Sequence, residues 1–371
     1  MAVLKILAVN SGSSSFKLGL FETADGSVKS VWQSRGEWHG NHEKAAEVLG
    51  PMLEPVRNGI DAVGHRIVHG GPGLFGTTRL SPETRAQVER AGEIDPLHSN
   101  LELAAIDAVS ALLDPDVPQY AVFDTAFFAT LEPRAYVYPL PYDWCGQGIR
   151  RYGFHGTSHQ YVSLRASEML GNPSALRLIT CHLGNGASLA AVRDGKAIDT
   201  TMGFTPLEGL MMGTRSGTVD PAILPYVMRT RGYSAVDVER ILNEESGLKG
   251  ISGVSGDMRK VLRARDAGNV RARLAIDMFV HRLAREMGGM LASLGGLDAL
   301  VFTAGIGENT PEVRRRAAEA FGFLGARIDA GRNESPEGDC DLAAEDSKVR
   351  LLLVHTREEE EIAREVGKAV G

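Results

Sequence analysis

The sequence predicts an α/β protein built from two copies of one unit, and three observations carry that expectation. The first is a repeated hairpin. LKILAV enters Asn10-Ser11-Gly12-Ser13-Ser14-Ser15, and FKLGLF leaves it ahead of an Asp-Gly. Roughly 170 residues later LRLITC enters His182-Leu183-Gly184-Asn185-Gly186, and ASLAAV leaves it ahead of a second Asp-Gly. Each is an apolar strand, a polar glycine-bearing turn and another apolar strand. The second observation is size: 371 residues with 43% hydrophobic content exceed what one core holds, since single cores stop growing near ~250–300 residues. The third is that QYAVF, nearly all apolar, ends in Asp124, where α/β sheets put their chemistry.

A plain hairpin with a solvated cation explains either turn alone. Recurrence argues for more, because glycines let backbone N–H groups approach an anion, and two such turns across a cleft would hold a nucleoside triphosphate. The net charge of −7 and the absence of any basic run longer than Arg314-Arg315-Arg316 argue against nucleic acid or an anionic membrane as partner. That triplet reads as a solvated helix face. Cys145, Cys181 and Cys340 form an odd, unpatterned set, and MAVLKILAVNS lacks an apolar signal core, so a reducing cytoplasm is expected. No run approaches the ~18 apolar residues of a membrane span.

Taken in order, residues 22–38 read as strands with polar turns and 42–53 as helical. DAVGHRIVHGG is a strand with Arg66 flanked by glycine and β-branched residues. His65 and His69 stand at odd offsets from Arg66, so a regular strand turns both to the other face, and they read as structural. Residues 95–98 form a turn aiming His98 toward the strand ends, with a helix from Asn100. Thr125 and Ala126 leave Asp124 unobstructed. His155 and His159 have the spacing of a zinc pair, but Gly156 replaces the glutamate of HExxH and nothing completes a ligand set. Thr157 or Ser158 opens the next helix.

Gly213-Thr214-Arg215-Ser216-Gly217 places one arginine among residues too small to shield it, free to fork onto a carboxylate or phosphate. LPYVMRT and VDVERILNE are amphipathic helices, and a glycine-rich turn over 247–256 leads to Asp257-Met258-Arg259. VRARLAIDMFVHRLAREMGGMLASL has helical apolar spacing and is core or dimer interface. ALVFTAG enters Gly305-Ile306-Gly307-Glu308-Asn309, glycines suited to ribose and phosphates, before a helix capped at Thr310-Pro311-Glu312. VRLLLV leads to Thr356-Arg357-Glu358-Glu359, read as a capping box, in which Glu358 is a favourable first-turn acid.

Eight segments, NSGSSSFK, GHRIVHGG, DPLHSN, FDTAF, RYGFHGTSH, HLGNGAS, TTMGFTPLEGLMMGTRSG and TAGIGEN, resemble in order and spacing the acetate kinase family of short-chain acyl kinases. The resemblance spans nearly the whole chain. It implies two ribonuclease H-like domains of the actin-like ATPase fold with an ATP cleft between them, expected here as 1–128 plus 361–371 and 129–360. It implies reversible transfer of the γ-phosphoryl of ATP to acetate with Mg²⁺, Mn²⁺ being an acceptable substitute, by a cytoplasmic homodimer. By resemblance Arg66, Asp124, His98, His155 and Arg215 are catalytic, and Arg66, Val68, Leu97, Phe154 and Pro206 bind the acyl substrate. Nucleotide contacts fall to Ser13, Ser14, Ser15, Lys17, His182, Gly184, Asn185, Gly186, Asp257, Met258, Arg259, Gly305, Ile306, Gly307, Glu308 and Asn309. Asn10 and Glu358 are the implied metal-site residues. Two positions depart from the family pattern: Phe128, where it has His, and Arg357, where it has Asn. A propionate or butyrate kinase would share every phosphate motif. A non-enzymatic ATP-binding protein of the actin or chaperone kind would share the fold without needing GHRIVHGG or MGTRSG.

Overall fold

The computed structural model describes residues 3–12, 15–37, 44–94 and 96–371, and at 96–98 only the backbone. Ser13, Ser14 and Asp95 therefore lie outside the described residues. The chain divides into two compact units: Met1–Ala129 with Phe154–Tyr161 and Arg357–Gly371, and Thr130–Gly153 with Val162–Thr356. Compared with the boundaries expected from sequence, 154–161 groups with the first unit and the return begins at Arg357.

Among the described residues each unit holds one six-stranded sheet. In the first, β1 (Leu4–Ser11), β2 (Ser15–Ala24), β3 (Ser27–Glu37), β4 (Ala62–Ile67), β5 (Thr78–Arg79) and β6 (Gln119–Phe123) lie in the order β3-β2-β1-β4-β6-β5. In the second, β7 (Arg177–Leu183), β8 (Ala187–Arg193), β9 (Lys196–Thr200), β10 (Ala299–Thr303), β11 (Cys340–Asp341) and β12 (Arg350–Leu353) lie in the order β9-β8-β7-β10-β12-β11. Three strands meander antiparallel, two more join in parallel, and a two-residue antiparallel strand closes the far edge in both. The duplication read from the hairpins is thus a duplication of the whole sheet.

The two Asp-Gly pairs show the same local physics. Asp25 and Gly26 have φ of 49° and 80°, Asp194 and Gly195 of 49° and 73°, the doubly left-handed turn whose twist matches two paired strands. In the first unit the sheet is covered on both faces. Ile6, Ala8, Ala62, Tyr120 and Val122 pack on Ile362, Ala363 and Val366 of the closing helix Glu358–Val370. Leu7, Val9 and Val63 pack on Leu49, Leu53, Leu101, Ala105 and Val109 from helices Ala45–Leu53 and Pro96–Leu112. Gly64 permits the first contact, since a Cβ there would come within 2.6 Å of Ile362 and 2.7 Å of Val366.

In the second unit the helix Val270–Leu294 buries Ala272, Ala275, Ile276, Phe279, Val280, Leu283, Met287, Met290 and Leu294, the stripe its periodicity predicts. Asn269 caps its start and left-handed Gly295 its end. No helix among the described residues is long and apolar enough to cross a membrane.

Several local expectations are corrected. The helix expected from Asn100 starts at Pro96, so His98 sits in its first turn rather than in a loop. The 247–256 turn contains the helix Gly247–Ser252, and the Gly305–Asn309 turn is itself helical over Ala304–Asn309. Thr310 makes no side-chain cap, and Arg357 rather than Thr356 holds the cap position of the last helix, without a side-chain cap bond. Arg314 is no solvated residue: it is fully buried, donating to the carbonyls of Gly307, Glu308 and Asn333 and to Asn333 Oδ1. Helical spacing alone cannot tell which member of an arginine triplet points inward.

Candidate active site

Three neighbouring parallel strands of the first unit end in polar residues on the face covered by Glu358–Val370. Residues two apart on a strand share a face, so Asn10 follows Ile6 and Ala8, Arg66 follows Ala62 and Gly64, and Asp124 follows Tyr120 and Val122. Asp124 continues the pairing past β6, its N–H donating to Ile67 O at 2.9 Å. Arg66 donates through Nε to both oxygens of Asp124 at 3.2 and 3.1 Å, through Nη2 to Oδ2 at 2.5 Å, and through Nη1 to Asn10 Oδ1 at 3.4 Å. Asn10 Nδ2 donates to Glu358 Oε2 at 2.9 Å and to Glu359 Oε1 at 2.7 Å. Burial opposes the Arg66 charge, but Asp124, then Glu358, outweigh it and hold the guanidinium above its ordinary range. The Asp124 carboxylate is fully buried and engaged by Arg66 and by Thr157 Oγ1 at 2.9 Å.

The turn before helix Gly156–Met169 brings Thr157 there. His155 adopts φ 58°, a left-handed conformation uncommon outside glycine, and a Cβ on Gly156 would lie 1.9 Å from Asp124 O. Phe154 is buried edge-on to His69, with ring centroids 5.4 Å apart. The Val68 N–H donates to buried Glu102 Oε1 at 2.9 Å. Ser15 is buried, and Lys17 stands opposite Asn10 in the β1/β2 register, its Nζ 3.9 Å from Glu359 Oε1. His65 is the structural residue its offset predicted: Nε2 meets Gln119 Oε1 at 2.7 Å, and burial pushes its pKa down to about 4. His69 lies beyond the end of β4, where its Nδ1 accepts from Gly71 N at 2.8 Å. Phe128 is buried edge-on to His159. Ser13 and Ser14, and the side chains of Leu97 and His98, are outside the described residues.

In the second unit the β7–β8 turn closes through Gly184 N–H to Gly186 O at 2.9 Å, and Asn185 O accepts from Gly213 N at 3.0 Å. A Cβ on Gly213 would lie 2.3 Å from Asn185 Oδ1 and 2.9 Å from Gly256 O; one on Gly184 would lie 3.5 Å from His182 Nε2 and 3.7 Å from Ala304 Cβ. These contacts gather the hairpin, the 213–217 loop, the approach to Asp257 and the start of Ala304–Asn309. Asp257 caps helix Met258–Asp266 and pairs with Arg259, while Met258 is buried. Glu308 turns back to accept from Ala304 N at 2.8 Å, and Asn309 donates to Gly305 O at 2.9 Å; Ile306 and Gly307 are buried. Arg215 is not the loose cation its neighbours suggested: it is half-buried, and Nη1 donates to the carbonyl of buried Pro206 at 2.9 Å.

A magnesium ion needs hard oxygen ligands. Asn10 and Glu358 supply an amide and a carboxylate in contact, with Glu359 beside them, while no cluster of three or more His, Cys, Asp or Glu occurs among the described residues. So sparse a donor set fits Mg²⁺ carried on phosphates and retaining water, rather than a closed protein cage.

The acetokinase family pattern matches residues 33–364. The chain belongs to the acetokinase family. The chain is similar to the acetate kinase of Gloeobacter violaceus, at 48% identity over 98% of each chain. Among solved structures it is similar to Porphyromonas gingivalis acetate kinase, with a TM-score of 0.88 at 40% identity, covering 99% of this chain and 100% of that one. It is also similar to a propionate kinase from Francisella tularensis, with a TM-score of 0.86 at 36% identity over 98% of each chain. The sequence reading missed Glu102, the contact of Glu359 with Asn10 and the bond from Thr157 to Asp124. Only Thr157 carried a signal, as the hydroxyl next to a glycine opening a helix.

Proposed function

We propose that the chain transfers the γ-phosphoryl group of ATP to acetate, giving acetyl phosphate and ADP, reversibly. The carrying observation is a permanent cation, Arg66, locked at the strand ends by Asp124, a buried carboxylate already engaged by Arg66 and Thr157. A carboxylate acceptor suits that, because a carboxyl group ordinarily titrates near ~4, so the acceptor is already ionised at neutral pH and needs no base. One acetate oxygen attacks the γ-phosphorus, the bond to the β,γ-bridging oxygen breaks, and its electron pair leaves with ADP. Arg66 neutralises the incoming carboxylate, and Arg215 and His155 stabilise the charge of the phosphoryl group in flight. Asp124 aims Arg66, while the β7–β8 turn, Asp257–Arg259 and Gly305–Asn309 hold the nucleotide with Ser13, Ser14, Ser15 and Lys17. Asn10 and Glu358 hold Mg²⁺, which neutralises phosphate charge. Val68, Leu97, Phe154 and Pro206 form the acyl pocket, with His98 beside it. A cytoplasmic homodimer belongs to the same reading.

The likeness to a propionate kinase makes the acyl length the open variable. Trapping acyl phosphate with hydroxylamine across acetate, propionate and butyrate should show acetate preferred over propionate by about tenfold or more in kcat/KM, since one methylene forced into filled space costs ~1–3 kcal/mol. Val68→Ala should narrow that ratio and leave the KM for ATP unchanged. A wild-type preference for propionate would move the assignment to the longer acid, and no acyl phosphate from any of the three would remove it.

A further inference from the structure

Pro206 anchors Arg215, yet the loop that carries Pro206 belongs to no helix or strand. It is held instead by a half-buried cluster from a distant stretch of the second unit. Glu208 Oε2 accepts from Tyr138 Oη, and Glu208 Oε1 accepts from Arg151 Nη2 at 2.8 Å. Tyr138 Oη in turn accepts from Phe204 N–H at 2.9 Å. Arg151 Nη1 donates to the carbonyls of Thr200, Thr201 and Met202 at 3.1, 3.1 and 2.9 Å, and Tyr152 N–H donates to Gly203 O at 2.9 Å. The Tyr138–Glu208 end of the clamp closes over Gly203, where a Cβ would lie 1.7 Å from Glu208 Oε2 and 2.1 Å from Tyr138 Oη. Burial pushes the Tyr138 phenol well above its ordinary value, so it stays a donor to Glu208.

We propose that Glu208 is a positioning residue: clamped by Tyr138 and Arg151, it fixes the 203–209 loop, through it the Pro206 carbonyl, and through that the guanidinium of Arg215. Glu208 is more than a generic tie because a single carboxylate joins both partners, so losing either bond loosens the 205–209 end of the loop, which carries Pro206, while 200–204 keep their own bonds. The inference rests on the proposed role of Arg215 at the transferring phosphoryl group.

A double-mutant cycle separates positioning from ordinary fold support. Glu208→Gln keeps the side-chain volume and should lower kcat about 10–100-fold, the scale of a misplacement near 1 Å, with the KM for ATP little changed. In an Arg215→Ala background the same change should cost less than about twofold, because the group it positions is gone. Tyr138→Phe should show the same coupling in weaker form, and it decides the matter if Glu208→Gln fails to fold. Unchanged kcat in Glu208→Gln, or losses that multiply independently in the double variant, would overturn the inference while leaving the proposed reaction standing. Near-normal turnover in Arg215→Ala alone would remove the premise as well.

Discussion

Arg66 and Asp124 illustrate how residue type and position were legible while the pairing was not. Each could be named from its strand: an arginine between glycine and β-branched residues, a carboxylate where an apolar strand stops. That the two are 58 positions apart in the chain and yet share hydrogen bonds depends on β4 and β6 being neighbours, which no local pattern encodes. Arg66→Ala should lower kcat ~10²-fold or more with ATP binding preserved. Because it strands a buried carboxylate, Arg66→Ala combined with Asp124→Asn is the companion variant, and near-normal turnover in either would remove Arg66 from the chemistry. His65 yields a pH prediction. Its pKa is about 4 in the folded chain against an ordinary 6.5, so the unfolded chain binds the proton more readily. Stability is therefore complete above pH 6.5 and falls as pH drops toward 4, by at most about 1.4 kcal/mol per pH unit from this group. His65→Gln should flatten denaturation midpoints measured across that window, and an unaltered slope would assign the acid sensitivity elsewhere.

Among elements, strands and the long helix were readable because their apolar period is set by burial on one face, as in Val270–Leu294. Short helices and their ends were not, because tertiary contacts decide them. Ala304–Asn309 contains two glycines and would be marginal alone, with the first-turn position at Ala304 at φ 63°. Buried Arg314 holds the carbonyls of Gly307 and Glu308, both at 2.8 Å, an arrangement of a cation at a helix C-terminus that the solvated reading concealed. Arg314→Lys keeps the charge but loses the planar fork that also binds Asn333. It should raise the KM for ATP about tenfold, the equivalent of ~1.4 kcal/mol, while kcat changes far less. A fall in kcat with unchanged KM for ATP would separate this helix from nucleotide binding.

At the scale of the whole molecule, the repeated sheet order explains why two polar turns recur, but only the first unit closes with a helix from the far end of the chain. Its sheet is complete by β6, yet the face that displays Asn10, Arg66 and Asp124 stays uncovered until Ile362, Ala363 and Val366 arrive after all of the second unit. The same helix carries Glu358 and Glu359 to Asn10 on its first turn. Packing and assembly of the proposed metal site are, on this reading, one event, since the apolar stripe sets the depth and rotation at which the glutamates meet the strand end. Ile362→Ala, three positions past Glu359, removes fully buried atoms beside Gly64 and should destabilise the chain by ~2–5 kcal/mol in denaturant unfolding. It should also raise the Mg²⁺ concentration for half-maximal rate, in the same direction as Glu358→Gln though less, because the helix start is no longer held in register. Destabilisation with an unchanged Mg²⁺ titration in Ile362→Ala, when Glu358→Gln does shift it, would show that the first turn is anchored by its own hydrogen bonds. If neither variant moves the titration, Glu358 returns to being a first-turn acid, and the metal is held by phosphate and water alone.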